Sequence, residues 1–462
     1  MGALGVMPEG ITTKQAKPAD TLPPGLSNAF LFASFNALSF QVVLSSPMVL
    51  YAKSLGASAT VLGIIAGMMP LLVIFQIPAA SYIPKIGFKR FVYGGWGVRV
   101  MFIFGMALVP LTARFLDAKN RLALMMVLLF GFNLSRGISS CAWLPWLTAL
   151  VPPTIRGHYL VREAAVTNLF SFISFLIAAA CLAGKPATWQ FSIVFIFSAI
   201  AGVVSLTFLK RIPDVEVPDE IKSSKNSIPW LAMLRYTPFA KVLRMVVGWS
   251  LAYGGMTAFT VAFLKTETGM SEGTILVVTS ISFLGGMSTF WILGSRLDKL
   301  GSKPVLTFAL AAWIVVLAGW ICVSGGLIRA HIAQLLLLQA VMGLLAALVQ
   351  MSNTRLAMTV VPTIGRTHFF AIYSVINNVT LGLAPIGWGL MIDAIGSRSP
   401  VWMGLEWNRY TIFFAVASLA FLITLVFARK LQEPEAAGME VLLREMLIES
   451  PQRFLVRLWP RE

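Results

Sequence analysis

The sequence predicts an all-α membrane protein with twelve transmembrane helices in two pseudo-symmetric six-helix bundles. Three observations predict it. Of 462 residues, 57% are hydrophobic and only 12% charged, against about 25% charged in a soluble domain. Twelve runs reach the roughly 20 apolar residues that a spanning helix needs. Two loop patterns recur almost half a chain apart. In lipid every backbone polar group must be satisfied internally, and long unbroken runs do this as helices rather than as a barrel.

The runs are 28–51, 60–83, 91–112, 122–148, 163–184, 189–210, 242–264, 274–294, 304–324, 331–358, 368–393 and 410–428. They divide the chain into an N-terminal tail (1–25), a first bundle (26–210), a linker (211–241), a second bundle (242–430) and a C-terminal tail (431–462). A polar, Lys- and Pro-bearing stretch precedes the first run, so no cleavable signal peptide is expected. The net charge of +17 is topological. With a cytoplasmic N-terminus, the inner loops and tails hold 25 Lys and Arg and the outer loops 9, and Arg99 and Arg136 lie inside helices. That asymmetry follows the positive-inside rule and places both termini in the cytoplasm. No nucleic-acid partner is expected, although anionic lipid is attracted to the basic face. Cys141, Cys181 and Cys322 lie in apolar runs and read as small core residues.

The first loop pattern runs from Gly294 through Asp298, Lys299 and Gly301 to Lys303. Its earlier copy runs from Ala80 through Pro84, Lys85 and Gly87 to Lys89 and Arg90, 214 positions before. The second pattern pairs Val151, Pro152, Arg156, His158 and Tyr159 with Val361, Pro362, Arg366, His368 and Phe369, at an offset of 210. The same offset pairs Asn168 with Asn378. Parallel repeats of this kind are a transporter architecture.

The first pattern resembles the signature between helices 2 and 3 of the major facilitator superfamily, repeated between helices 8 and 9. The resemblance covers roughly Asn28 to Lys430. It implies a secondary transporter with conformational signature loops at Lys85, Gly87, Arg90, Gly294, Asp298, Lys299, Gly301 and Lys303. The first copy departs from the pattern, with Pro84 for the acid and Ala80 for the leading Gly. The resemblance also implies that the second-half loop packs near the fifth helix. Arg162 and Glu163 are therefore candidate gate partners, with Asp298 pairing Arg162 or capping that helix.

Taken in order, the first run carries Asn28, Ser34, Asn36, Ser39, Gln41, Ser45 and Ser46. Polar side chains in lipid face a bundle interior or a wet cavity, or join helices by hydrogen bonds. Pro47 is expected to bend this helix. Arg99 in the third run either snorkels to headgroups or enters the cavity. The fourth run carries Asn133 and Arg136. Trp143 and Trp146 read as an interfacial aromatic belt, about ten residues and roughly 15 Å from Arg136. At that depth the guanidinium needs a partner, water or an anion. The linker suggests a short helix around Trp230 to Tyr236. The seventh run carries Trp249, Tyr253 and Gly254-Gly255; the eighth ends near Trp291. The tenth holds Gln339, Gln350, Asn353 and Arg355, the last expected to snorkel. The eleventh holds Asn377, Asn378, Pro385 and Asp393. The C-terminal tail mixes Leu, Val and Trp with Arg and reads as an amphipathic surface helix or a loose tail.

By resemblance the first, fourth, seventh and tenth helices line the cavity. The candidate substrate-binding residues are Asn36, Gln41, Asn133, Arg136, Tyr253, Gln350 and Asn378. No phosphate-binding loop is present. His158, His331 and His368 lack metal-ligand spacing. Neither an enzyme, a cofactor nor a metal is expected. The partners are a small-molecule substrate, the lipid bilayer and a coupling proton or ion, with the chain a monomer in the cell membrane. Helix centres carry no Asp or Glu, and Glu163, Glu267 and Asp393 lie near helix ends, which disfavours coupling through a mid-membrane acid but keeps Glu163 a candidate for it, with facilitated diffusion, exchange and substrate-linked proton entry open. Arg136 without an opposing acid favours an organic anion. Alternatives are a neutral sugar or other polar solute, multidrug-type efflux, or a non-transporting receptor. The fifth run lacks the Gly-Pro motif of the family's exporters, which lowers efflux.

Overall fold

The computed structural model describes residues 25–152, 156–215, 230–292, 300–361, 366–431 and 433. Twelve helices among them match the twelve runs. They are α1 (Ser27–Ser54), α2 (Ala59–Ala80), α3 (Phe88–Arg114), α4 (Ala118–Leu150), α5 (Tyr159–Cys181), α6 (Thr188–Arg211), α7 (Thr237–Thr266), α8 (Glu272–Ile292), α9 (Ser302–Ser324), α10 (Ile332–Val360), α11 (Phe369–Ile395) and α12 (Arg409–Arg429). Among the described residues, eleven of them are long and apolar enough to cross a membrane. The linker's expected short helix spans Trp230–Arg235. A small hairpin between α11 and α12, β1 (Val401–Trp402) with β2 (Leu405–Glu406), was not legible in the sequence.

The packing pattern repeats. In the first half α1 packs on α5 and α6, α3 on α4 and α6, and α2 on α4. Adding six to each label gives the second half: α7 on α11 and α12, α9 on α10 and α12, and α8 on α10. The backbone repeats too. Gly87 and Gly301 cap the starts of α3 and α9 with φ/ψ of 85°/154° and 84°/161°, a region that only glycine enters without strain. Both α1 and α7 are broken in two. The break in α1 falls at Ser45, with φ −134° and ψ −152°, just ahead of the expected Pro47. The break in α7 falls at Gly254-Gly255.

Serine hydroxyls bind α1 to its neighbours. Ser174 Oγ donates to Leu38 O at 3.0 Å and Ser198 Oγ to Ser39 O at 2.7 Å. Such bonds hold helices together where lipid supplies no hydrophobic drive between them.

Two seams join the halves, α2 on α11 and α5 on α8. At the first, a Cβ at Gly63 or Gly67 would collide with the backbone of Pro385 or Gly382, so the two helices touch backbone to backbone. We call the side on which α6 joins α7 the linker side. On the far side, the second segment of α7 packs on the second segment of α1. There Asp393, at the end of α11, caps the start of α2. Its carboxylate accepts from Ala59 N at 2.9 Å, Thr60 N at 2.8 Å and Thr60 Oγ1 at 2.7 Å.

Arg355 is corrected from a snorkelling residue. It pairs with Glu433, whose carboxylate also accepts from Ser302 N at 3.0 Å and Lys303 N at 2.7 Å. The helix start at α9 offers free N–H groups and positive charge, and a carboxylate within reach satisfies both.

Candidate functional site

A cavity of about 210 Å³ opens inside the first half. Four helices build its wall: α1 with Phe32, Ala33, Asn36 and Phe40; α3 with Trp96 and Arg99; α4 with Arg136, Ser140 and Trp143; and α5 with Glu163 and Thr167. Phe32, Asn36 and Phe40 on α1 are four apart, and Arg136, Ser140 and Trp143 on α4 are four and three apart, which puts each set on one face.

Arg99 is 4% exposed. Its guanidinium carbon lies 4.5 Å from the Trp96 ring centre and 5.1 Å from that of Phe132. Ring faces attract a cation, yet its Nε has no hydrogen-bond partner. Of the two readings the sequence leaves for Arg99, the structure adopts the cavity rather than the headgroups. Arg136 is half-buried on the same wall. Among the described residues, ion pairs form at Lys265–Glu272, Arg355–Glu433 and Arg409–Glu267, and none involves Arg99, Arg136 or Glu163. Three ionisable groups therefore face one small cavity without ion-pairing one another. Unpaired charge in a protein interior is costly.

Aromatic rings set the rest of the shape. Phe32, Trp96 and Trp143 pack mutually with ring centres 5.0 to 6.3 Å apart. Trp96 Nε1 donates to Asn36 Oδ1 at 3.3 Å, which orients the amide. Trp146 is fully buried and donates Nε1 to Pro213 O at 3.1 Å. The expected interfacial belt is thus replaced by inward packing, with Trp146 hydrogen-bonded within the protein and Trp143 packed among rings on the cavity wall.

Of the sequence's candidates, Asn36 and Arg136 share this wall, and the gate candidate Glu163 joins them. The others stand elsewhere. Asn133 is buried, with Nδ2 donating to Leu129 O at 2.9 Å. Asn378 donates to Ser374 O at 2.8 Å, just as its repeat mate Asn168 donates to Ala164 O at 2.9 Å. Tyr253 stacks on Trp249 at 4.8 Å in the second half. Gln41 is half-buried and Gln350 exposed, both off this wall. Arg162 is exposed and sits 5.0 Å over Phe30. Lys85 and Arg90 are exposed on the linker side. Gly294, Asp298 and Lys299 lie outside the described residues, so the Asp298–Arg162 pairing does too. Trp96, Trp143, Ser140 and Thr167 were missed. An indole in an apolar run carries the signal of ordinary packing, and only the neighbouring helices reveal which face it presents.

The sequence matches the family model described as Major Facilitator Superfamily over residues 29–333 and 256–447. No curated protein matches the sequence. Among solved structures the fold is similar to the D-xylose-proton symporter, with TM-score 0.70 and 12% identity over 89% of this chain and 98% of that one. It is similar to the inward-open xylose transporter XylE from E. coli, with TM-score 0.68 and 13% identity over 90% and 99%. It is also similar to a point mutant of the nucleoside transporter NupG, with TM-score 0.66 and 12% identity over 88% and 100%.

Proposed function

The chain belongs to the major facilitator superfamily, and from that premise we propose that this transporter of small solutes carries an organic anion. One observation supports the reading above others: Arg99 and Arg136 line a single cavity and neither is ion-paired among the described residues. An anion entering that cavity neutralises charge that the fold otherwise holds at a cost. The cavity walls come from one half only, so the cargo docks on the first bundle (26–210). Rocking of the second bundle (242–430) about the two seams then exposes the cargo to one side and the other. The linker (211–241) and both tails lie in the cytoplasm on this reading, and the carrier works as a monomer.

A thermal-shift screen of detergent-purified protein tests it. Binding to the folded state raises apparent stability by mass action. Organic anions and sugar phosphates are compared with neutral sugars and lipophilic cations, on wild type and Arg136→Ala. An anion is expected to stabilise wild type, and Arg136→Ala to weaken it by about tenfold or more, since bonds to charged groups are worth about 1.5–3 kcal/mol. Equal stabilisation of both proteins by a neutral compound sinks the anion reading. It would favour a neutral polar solute held by Asn36 and the indoles of Trp96 and Trp143. That second reading draws support from the fold's likeness to transporters of xylose and nucleosides. Stabilisation by lipophilic cations alone would point to efflux.

A further inference from the structure

The anion reading accounts for Arg99 and Arg136 and leaves Glu163 without a task. Glu163 lies on the wall of the same cavity, on the first turns of α5. Carboxylate and guanidinium would form a stable pair if they met, and among the described residues they do not. The three groups stand on three different helices, α3, α4 and α5. The wall thus presents two cationic points and one anionic point, for a net charge of +1 when all are ionised.

A plain dianion would balance the arginines but place negative charge beside Glu163. A simple monoanion would leave one guanidinium unanswered. A zwitterion with one carboxylate would do the same. Charge matches at every point for a ligand with two anionic ends and one ammonium, of net charge −1, and carboxylates suit the planar guanidinium fork. The volume agrees. A cavity of about 210 Å³ has room for a short carbon chain with three polar ends. Hydroxyls of Ser140 and Thr167 and the amide of Asn36 stand on the same wall and supply neutral hydrogen bonds between the charged points.

We propose that the cargo is a small amino-dicarboxylate, with Arg99 and Arg136 contacting its two carboxylates and Glu163 its ammonium group. This rests on the anion reading and narrows it. The selectivity follows from the missing-partner rule. A site built to hydrogen-bond an N–H group rejects the analogue that lacks it, because the site's own buried polar group is then left unpaired.

The test is equilibrium binding of L-aspartate and L-glutamate, against succinate and glutarate, to purified wild type, Glu163→Gln and Glu163→Asp at neutral pH. Wild type is expected to prefer the amino-dicarboxylate over the dicarboxylate of equal chain length by about tenfold or more. Glu163→Gln should erase that preference, weakening the amino-dicarboxylate while leaving or improving the dicarboxylate. Glu163→Asp should retain part of it. Equal binding of both series to wild type overturns the proposal and leaves the anion reading standing. So does binding of some other Arg136-dependent anion with neither series. Failure of every anion overturns both readings. Should the variants fail to fold, the wild-type preference between the paired probes decides alone.

Discussion

The two halves share a scaffold and differ in what fills its centre. Arg99 stands twelve residues after Gly87, and Trp313 stands twelve residues after Gly301. In the first half that position holds a buried cation facing a cavity. In the second it holds an indole stacked on Phe421 at 5.1 Å, with Trp249 and Tyr253 edge-on at 6.1 and 5.8 Å. The offset of 210 places Ala346 opposite Arg136 and Tyr373 opposite Glu163. Every charge of the candidate site is therefore confined to one bundle, and its counterpart is apolar or aromatic. Once duplicated, a fold need not use both copies alike. One bundle keeps buried ionisable groups at its centre, and the other fills the matching position with packed rings.

That division can be broken from either end. Trp313→Ala should have the largest effect, because it empties a fully buried stack; large-to-small core changes of this kind cost about 3–5 kcal/mol. A strong fall in Tm is expected, with ligand-induced stabilisation retained by whatever protein remains folded. Loss of ligand response without loss of Tm would show that the second half also recognises cargo. Arg99→Met tests the other bundle and should act in the opposite sense. Replacing an unpaired buried cation with an apolar side chain of similar length is expected to raise the Tm of the empty protein, with a gain of about 1–2 kcal/mol after the lost ring contacts are set against it. The same change should abolish anion binding. A lower Tm would mean that Arg99 is structural. Asp393→Ala probes the seam rather than either centre and should be mildest. Losing a helix cap costs about 1 kcal/mol, roughly a fivefold shift in a two-state balance. Distances between spin labels on the far-side loops of the two halves should broaden toward separation. No change would remove Asp393 as a latch.

The helices were legible because the bilayer dictates their length and composition, so apolar runs located all twelve within a few residues. The repeat was legible because Gly87 and Gly301 must adopt a conformation that few other residues tolerate. The cavity was only partly legible. Arg136 announced itself by its depth, where no headgroup is in reach. Arg99 did not, since its distance from the membrane surface allowed two destinations. The Arg355–Glu433 pair was invisible because the acid lies 78 residues further along, beyond the last apolar run. Which face a polar residue presents depends on helices packed against it from elsewhere in the chain. Periodicity within one run cannot supply that.

The cap that Asp393 places on α2 must be undone whenever the halves separate on the far side. On the proposed reading the cargo rests on one bundle alone, so its contacts do not offset that cost, and the cap resists far-side opening alike in the loaded and the empty carrier. Weakening it is expected to speed far-side opening in both, to a degree that reads out the strength of a single carboxylate on two backbone N–H groups.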